Sequence, residues 1–527
     1  MSRSKHDQAE RSITTGSDFL QLTATDAPAR GLADWLTRQL RLAISDGRLP
    51  VGAVLPASRV LAADLRISRG VVTEAYQRLS EDGHVAGRGR GGTTVVAAPT
   101  PMPAPRPPAV AGPPPLASAP LASASAASAS AASASAARAS AANTVFAAMP
   151  GGDVFDSLRA VSARIDLSPG VPDLASFPRA AWLRAERAVL SDLSSADLGY
   201  GDPRGTPALR LAVAGWLARN RGIRADPSEV IIVAGVSQAL GLIAQVLRRD
   251  GITAVAVEEP GSLGVRQHLR NWRLDTPPVP VDSGGLRVDE LRDSGAAAVM
   301  LTPAHQFPTG VVLDGQRRRE LLGWAAGGGG LIIEDDYDAE HRYDRPPVAA
   351  LRSMLAEHVC YTGSVSKLLA PALRVGWLIP PPRYADALVA AKRNADLGNA
   401  ALPQLVLARL MESGELERQL RFLRGRHRRR RDAMIDAIAA YLPGATVHGA
   451  AAGLHLMITF DSDFADADLA AAALARGVKV QPLSWHSQRV GQPGLVLGYA
   501  ATRPTEISEA IAILGDILNA PRTPHTS

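Results

Sequence analysis

A chain of 527 residues, 46% of them hydrophobic, is too long for one hydrophobic core and predicts several domain-sized units. The formal net charge of +6 suits nucleic-acid binding without demonstrating it, and a single cysteine, Cys360, excludes an intrachain disulfide and favours a reducing compartment. No apolar run has the length of a membrane span and the polar N-terminus lacks the apolar core of a signal peptide, so we expect a cytoplasmic protein with no membrane partner.

Changes in composition divide the chain into five segments. A proline run followed by a Ser/Ala repeat has too little hydrophobic surface to fold and indicates a linker. Beyond it, short apolar runs alternate with amphipathic stretches, which predicts an α/β domain with a mainly parallel sheet. The segments are a disordered N-terminus (1–28), a compact unit (29–97), the linker (98–160), the α/β domain (161–520) and a tail (521–527). We expect the α/β domain to have a large part at about 190–385 and a small part from about 386.

The compact unit has three predicted helices and a hairpin. Apolar residues recur at helical spacing from Leu32, and Ser68 is a suitable N-cap for the third helix. On that helix Val72 and Tyr76 belong to the face predicted to be buried, whereas Arg69 and Thr73 face outward. A recognition helix meets DNA with its N-terminal turn, and the alternative is a small helical domain with surface arginines.

The motifs Leu55-Pro-Ala-Ser-Arg59, Ile67-Ser-Arg69 and Gly89-Arg-Gly-Gly-Thr-Thr-Val95 count against that alternative. Together they resemble the winged helix-turn-helix of the GntR family across residues 32–96. The resemblance implies double-stranded DNA as a partner, read as an operator with two half-sites. It assigns DNA contacts to Arg59, Ser68, Arg69, Thr73, Arg90 and Gly91.

A second set of residues, far downstream, offers each group that pyridoxal phosphate (PLP) needs. Lys367 is the candidate for the Schiff base, Asp335 for the ring nitrogen and Tyr337 for the ring hydroxyl. The candidates for the phosphate are Gly235, Val236, Ser237, Ser364, Ser366 and Arg374. A solvated lysine and an acidic turn are the ordinary alternatives for single residues, so the prediction depends on their order and spacing together.

These motifs resemble the aspartate aminotransferase fold, fold type I of the PLP enzymes, over about residues 165–519. With the head and the long linker, the chain resembles the MocR/GabR subfamily of GntR-type regulators. The resemblance implies a homodimer, of the domain-swapped kind, in which Tyr200 reaches the phosphate bound by the neighbouring subunit. It also implies that His305 or Gln306 replaces the asparagine of the aminotransferase motif Asn-Pro-Thr-Gly, which here is Phe307-Pro-Thr-Gly310.

Two departures from the aminotransferase pattern concern ligand binding. Ser262 stands where an aromatic side chain stacks on the cofactor ring, and Leu263 is a candidate substitute. The last strand motif, Leu495-Val-Leu-Gly-Tyr499, lacks the arginine that holds a substrate carboxylate, and Arg489 is the nearest upstream candidate. Efficient transamination is therefore not expected.

The first hypothesis is a dimeric transcriptional regulator that senses PLP, another B6 vitamer or an amino compound through an aldimine at Lys367. The second is a catalytically active aminotransferase with an accessory DNA-binding head, and the third is a sensor that no longer binds the cofactor. No His/Cys spacing indicates a metal site. The arginine-rich run 424–431 is predicted to be the solvated face of a helix.

Overall fold

The computed structural model describes residues 31–45, 48–87, 92–96, 144–146, 149–338, 340–343, 348–461 and 464–519. The predictions for the N-terminus (1–28), for most of the linker (98–143) and for the tail (521–527) lie outside these residues. Within the described parts of the chain, no helix combines the length and the apolar character that crossing a membrane requires.

The N-terminal head has the predicted three helices and hairpin. Its elements are α1 (Leu32–Ser45), α2 (Ser58–Asp64), α3 (Arg69–Glu81), β1 (Val85–Gly87) and β2 (Thr93–Val95), with β1 and β2 antiparallel. Leu36, Leu40 and Leu79 are fully buried in one apolar cluster. The Tyr76 hydroxyl donates to the Pro56 carbonyl at 2.7 Å, which ties α3 to the segment before α2.

Residues 144–160 were predicted to end the linker, but the structure places part of them in a hydrophobic core. This part contains α4 (Val154–Ala160), and β3 (Ile165–Asp166) follows. Val154, Leu158 and Phe146 are buried with the C-terminal elements of the chain, and the Phe146 ring stacks on Trp485 with ring centres 5.1 Å apart. These buried residues lie beyond the Ser/Ala repeat, which ends at Ala142.

The centre of the α/β domain is a sheet in the strand order β4-β11-β10-β9-β8-β5-β6-β7. Its strands are β4 (Ile231–Val233), β5 (Ala256–Glu259), β6 (Pro278–Asp282), β7 (Gly285–Leu286), β8 (Ala298–Leu301), β9 (Leu331–Asp336), β10 (Val359–Ser364) and β11 (Gly376–Ile379). The run from β10 to β6 is parallel, and β11 is antiparallel to both of its neighbours. The predicted α/β class is confirmed, since the strands are buried on both faces.

Helices cover the two faces of this sheet. They are α5 (Arg179–Asp192), α6 (Pro207–Arg221), α7 (Val236–Arg249), α8 (Leu263–Asn271), α9 (Val288–Asp293), α10 (Gly315–Gly328), α11 (Pro382–Asp396) and α12 (Ala401–Glu412). One face packs on α7, α8 and α11. The other face packs on α6, α10 and α12.

The C-terminal elements form a smaller α/β unit. It contains α13 (Glu415–Tyr441), β12 (Ala445–His448), β13 (His455–Phe460), α14 (Asp466–Ala475), β14 (Val478–Lys479), β15 (Gln481–Pro482), β16 (Gly494–Gly498) and α15 (Pro504–Asn519). The strand order of its sheet is β12-β13-β16-β15, and α13 packs along α15.

The small part was predicted to begin at about residue 386, which lies inside α11. Tyr384, Leu388 and Ala391 of that helix are buried with α7 and the large sheet. The first turns of α13 also pack on the large domain through Leu416, and only its last turns, with Met434, enter the small-domain core. The amphipathic pattern of these helices predicts a buried face but does not say which core buries it.

Candidate cofactor pocket and DNA-binding surface

The outward face of α3 is exposed at its N-terminal end. Arg59, Arg69 and Thr73 are exposed, and the Ser68 hydroxyl caps α3 by accepting from the Val71 N–H at 3.4 Å. The Arg69 guanidinium lies over α2, with its Nε 3.4 Å from the Ser58 hydroxyl. These side chains can therefore reach DNA together with the free N–H groups of the helix terminus. The predicted wing residues Arg90 and Gly91 lie outside the described residues.

The predicted cofactor residues meet because four adjacent strands end at one edge of the large sheet. Val233 of β4 pairs with Gly376 of β11, which pairs with Ser364 of β10. Thr362 of β10 pairs in turn with Asp335 of β9. Residues more than a hundred positions apart are thereby placed around one cleft, at the sheet edge where α/β proteins bind ligands.

Lys367 lies in the turn that follows β10 and points towards the segment before α5. Its Nζ donates to the Gly170 carbonyl at 2.5 Å. Burial lowers the pKa of the Lys367 ammonium, and the charges of Asp335 and Asp338 partly oppose this effect. A lysine that loses its proton easily is the nucleophile that an aldehyde cofactor requires.

Asp335 is the pocket acid on β9. Burial, followed by the charges of Asp336 and Asp338, raises the pKa of Asp335 to about 7. The Thr362 hydroxyl lies 3.5 Å from its Oδ1. The hydrogen bond from Thr362 and the charge of Lys367 do not offset the effect of burial on Asp335, so the site suits a further cationic partner. A protonated ring nitrogen would lower the pKa of Asp335 again.

The phosphate end of the pocket is formed by the turn before α7 and by Arg374. Gly235 has a φ of +83°, and a Cβ at this position would lie 3.2 Å from Nη1 of Arg374, so glycine allows the close approach. The Arg374 guanidinium donates to the Ala234 carbonyl. Val236 and Ser237 begin α7, where N–H groups lack intrahelical acceptors. Ser366 donates its N–H to the hydroxyl of Ser364 at 3.3 Å.

A buried cluster that sequence spacing did not reveal lies beside Tyr337. Nδ1 of His305 is 3.0 Å from the Tyr337 hydroxyl and 2.9 Å from Oδ2 of Asp338. Nε2 of His455 is 3.2 Å from the Pro308 carbonyl. His305, Asp338 and His455 have the ligand types of a metal site, and the hydrogen bonds described above already use one nitrogen of each histidine and one oxygen of Asp338.

His305 and Gln306 differ in their hydrogen bonding. Both polar ends of Gln306 are already hydrogen-bonded, because its amide donates to the Phe307 carbonyl and to the Pro260 carbonyl after β5, and its Oε1 accepts from Thr309. His305 instead keeps its buried Nε2 without a partner. His305 is therefore the better candidate to contact a ligand.

The two sequence departures have different structural surroundings. The Ser262 hydroxyl caps α8 by accepting from the Val265 N–H at 3.4 Å, and it borders a small cavity together with Phe307. Leu263, the candidate substitute for the stacking ring, is buried in the small-domain core. Val496, in the strand motif without arginine, is fully buried against Met457 and Leu483. Arg489 is exposed, and its backbone N–H donates to Glu259.

The interpretation of residues 424–431 as a solvated helix face is wrong for part of the run. His427, Arg430 and Arg431 are buried. Nη1 of Arg430 donates to Oδ2 of Asp173 at 2.9 Å, and this pair connects α13 with the segment that carries Gly170. Charge counting cannot detect such a burial, because the paired carboxylate is far away in the sequence.

Comparison with known proteins supports the same division of the chain. Residues 32–95 match the family of bacterial regulatory proteins, gntR family, and residues 163–514 match the family aminotransferase class I and II. The chain is 30% identical over 490 residues to a probable rhizopine catabolism regulatory protein, MocR, of Rhizobium meliloti, with 90% of this chain and 91% of the relative covered.

Two further proteins represent the regulators and the aminotransferases. The pyridoxine biosynthesis transcriptional regulator PdxR of Corynebacterium glutamicum is 28% identical, with 92% of this chain and 95% of the relative covered. The crystal structure of Pyrococcus horikoshii kynurenine aminotransferase superposes with a TM-score of 0.63 at 26% identity, over 69% of this chain and 92% of that chain. The chain therefore belongs to the MocR/GabR subfamily of GntR-type regulators, in which a helix-turn-helix head precedes an aminotransferase class I and II domain.

Proposed function

We propose that this protein is a homodimeric, PLP-dependent transcriptional regulator that detects PLP or an amino compound at Lys367. The observation that carries the proposal is the meeting of Lys367, Asp335 and Arg374 in one cleft of a chain whose head exposes Arg69. When bound, PLP supplies an aldehyde that reacts with amines. Because the head binds chromosomal DNA, the protein works in the cytoplasm.

The residues of the chain have separate tasks in this proposal. The Lys367 amine attaches the cofactor, and Asp335 holds a proton at the ring nitrogen by opposite charge. Tyr337 and His305 lie where they can contact the ring hydroxyl. Arg374, Ser364, Ser366 and the turn from Gly235 to Ser237 bind the phosphate through cationic and N–H donors.

A homodimer is supported by apolar side chains that the single chain leaves exposed. Leu183 and Leu190 of α5, Leu198, and Leu211 of α6 are each more than half exposed. Tyr200, two residues after Leu198, is 67% exposed, so its side chain is accessible to a neighbouring subunit. Exposed apolar groups on adjacent elements are typical of protein interfaces. We infer a domain-swapped arrangement that presents two heads to an operator with two half-sites.

We propose that the effector has no carboxylate that binds at β16, the last strand. Val496 and its neighbours Met457, Leu483 and Phe307 are apolar, so these four side chains offer no cationic group to a carboxylate. The relatives named above are a transcriptional regulator of pyridoxine biosynthesis and a probable regulatory protein of rhizopine catabolism. PLP itself or an amine is the class of effector that fits this pocket.

The test combines a spectrum with DNA binding. Purified protein is titrated with PLP, and an absorption band of a lysine-bound cofactor is expected; B6 vitamers and amines are then screened by the shift of that band. DNA sites selected from a random duplex library are used to compare the affinity of cofactor-loaded and cofactor-free protein. A band without any change in DNA affinity would contradict the proposal.

The second candidate is an active aminotransferase with an accessory head. It is supported by 28% identity to an aromatic-amino-acid aminotransferase of Thermococcus litoralis over 63% of this chain. Repeated turnover of amino and keto acids would establish it. The apolar surroundings of Val496 argue for little or no turnover.

A further inference from the structure

The C-terminal end of α3 is buried against the large domain, although its N-terminal end is exposed. Asp82, directly after the helix, is only 3% exposed. Its carboxylate pairs with Arg41 of α1 and accepts the Ala349 N–H of the large domain at 2.8 Å. Burial opposes its charge, but Arg41, His84 and the Ala349 N–H outweigh this effect and lower the pKa of Asp82. A charged side chain of the head is thus hydrogen-bonded to the backbone of the large domain.

The same boundary contains a close backbone approach. Gly315, the first residue of α10, lies so near to α3 that a Cβ on it would be 2.2 Å from the Ser80 carbonyl oxygen. Gly83 faces Gly315 from the head, where a Cβ would lie 3.4 Å from the Gly315 oxygen. A side chain on Gly315 would collide with the Ser80 carbonyl, and Gly83 has a φ of +80°, which favours glycine, so the boundary has a specific docking geometry.

Ala349 belongs to the segment Val348–Ala350, which we call the docking segment, and two buried arginines are hydrogen-bonded to it. Arg318 donates to the Ala349 carbonyl at 2.9 Å. Arg221 donates to the Val348 carbonyl, and its own carbonyl accepts the Ala350 N–H at 3.0 Å. Both arginine side chains are fully buried, so hydrogen bonds within the large domain fix the segment in addition to its contact with the head.

The docking segment is connected to the cofactor strand. Nε of Arg221 donates to Oδ2 of Asp336 at 2.5 Å, and Glu334 accepts the N–H groups of Leu351 and Arg352 at 2.9 and 3.1 Å. Successive side chains of a strand point to opposite faces, so Glu334 and Asp336 lie opposite to Asp335. In strand β9, Asp335 therefore faces the pocket, whereas Glu334 and Asp336 hold the docking segment and its arginine.

We propose that this docking surface, formed by Asp82, Gly83, Gly315 and the segment Val348–Ala350, couples the cofactor pocket to the position of the DNA-binding head. The inference rests on the proposed function. A cation at Asp335 changes the electrostatic field at Asp336, which holds Arg221 and through it the docking segment. Arg59, Arg69 and Thr73 remain exposed at the other end of the head, so docking orients the head without covering its DNA-binding surface. In a domain-swapped dimer, the same contacts would join each head to the partner's body.

The test is Gly315→Ala in the full-length protein. Alanine favours the helix itself, but its Cβ would strike the Ser80 carbonyl and displace the head. Gly323→Ala in the same helix is the matched control, because a Cβ there would meet nothing within 4 Å. Asp82→Ala removes the contact from the head side, with Asp34→Ala, which breaks an ion pair to Arg78 inside the head, as its control.

Three measurements separate the outcomes: hydrogen exchange at Ala349, the visible band of bound PLP, and the ratio of DNA affinities with and without PLP. In wild type and Gly323→Ala we expect slow exchange and a ratio that departs from one by at least about fivefold, a typical coupling. In Gly315→Ala we expect fast exchange and a ratio near one, with an unchanged band and unchanged affinity for a single half-site.

Fast exchange in Gly315→Ala with the wild-type ratio would overturn the coupling, and fast exchange at Ala349 in wild type would overturn the docking. Failure of the proposed function would give a different result. The wild type would then show the band of bound PLP and slow exchange at Ala349, but the same DNA affinity with and without PLP.

Discussion

The DNA-binding surface and the cofactor pocket differ in how they are built. The DNA-binding surface comes from one short stretch, in which Arg69 and Thr73 belong to a single helix and are exposed to water. The pocket comes from strand ends and turns spread from Gly170 to Arg374, and it contains buried titratable groups.

This difference determines how each region responds to change. Exposed side chains of the head act almost independently, so their substitution should weaken DNA binding without disturbing the fold. Pocket residues share one electrostatic environment, since the pKa of Asp335 depends on Asp336 and Asp338 and its charge acts in turn on Lys367. Substitution there should alter several properties together.

The largest expected effect is that of Lys367→Ala, which removes the amine that binds the cofactor. The absorption band of bound PLP should disappear completely, and basal DNA affinity should stay within about twofold, because the head is untouched. Lys479→Arg is the matched control, since Lys479 lies beside Asp166, outside the pocket, with its Nζ 3.5 Å from that carboxylate. A band that persists in Lys367→Ala would mean that another amine holds the cofactor.

Arg69→Ala tests whether DNA binding can be weakened while cofactor binding stays unchanged. The loss of one DNA contact costs about 1–3 kcal/mol, so affinity for a selected duplex should fall about 5- to 150-fold. The PLP band should not change. Arg248→Ala, at an exposed position of α7, serves as the control in an anisotropy titration. Equal losses in both variants would show that Arg69 contributes only general charge.

Asp335→Asn tests the pH dependence of the pocket. The pKa of Asp335 is about 7, so its carboxyl is mostly protonated at pH 6 and ionised at pH 8, where it can hold a protonated ring nitrogen. The Lys367 amine also loses its proton more readily at higher pH. PLP affinity of the wild type should therefore rise from pH 6 to 8.

In Asp335→Asn the rise should be shallower, and affinity at pH 8 should be about tenfold weaker because a charged hydrogen bond is lost. Spectroscopic titration at several pH values measures both effects. Asp289→Asn, an exposed carboxylate far along the sheet, is the control. A parallel pH profile in Asp335→Asn would assign the titration to another group.

The smallest expected effect is that of Ser262→Tyr, which restores an aromatic side chain at the position where stacking is expected. An aromatic contact contributes about 0.5–1.5 kcal/mol, so PLP should bind about 2- to 12-fold more tightly. Loss of the Ser262 cap should lower stability by about 1 kcal/mol. Ser262→Ala isolates the cap effect in thermal unfolding. Weaker PLP binding by Ser262→Tyr would show that the ring cannot be accommodated there.

Local sequence patterns predicted the head well because its structure depends on short-range rules. Helical spacing, the Ser68 cap and the glycine-rich hairpin each specify a local conformation. The same rules do not say in which core Phe146 and Tyr384 are buried, because their partners are distant in the sequence.

The sequence by itself determined the order of the two units, the family and the residue types of the pocket, since ordered motifs carry that information without contacts. Only the tertiary structure decided that Gln306 is hydrogen-bonded to Pro260 while His305 faces Asp338, and that Arg430 is buried on Asp173. It alone brought Asp82 to Ala349 and Arg221 to Asp336. The physical reason is that burial and pairing depend on distances between remote segments, which only the folded chain defines.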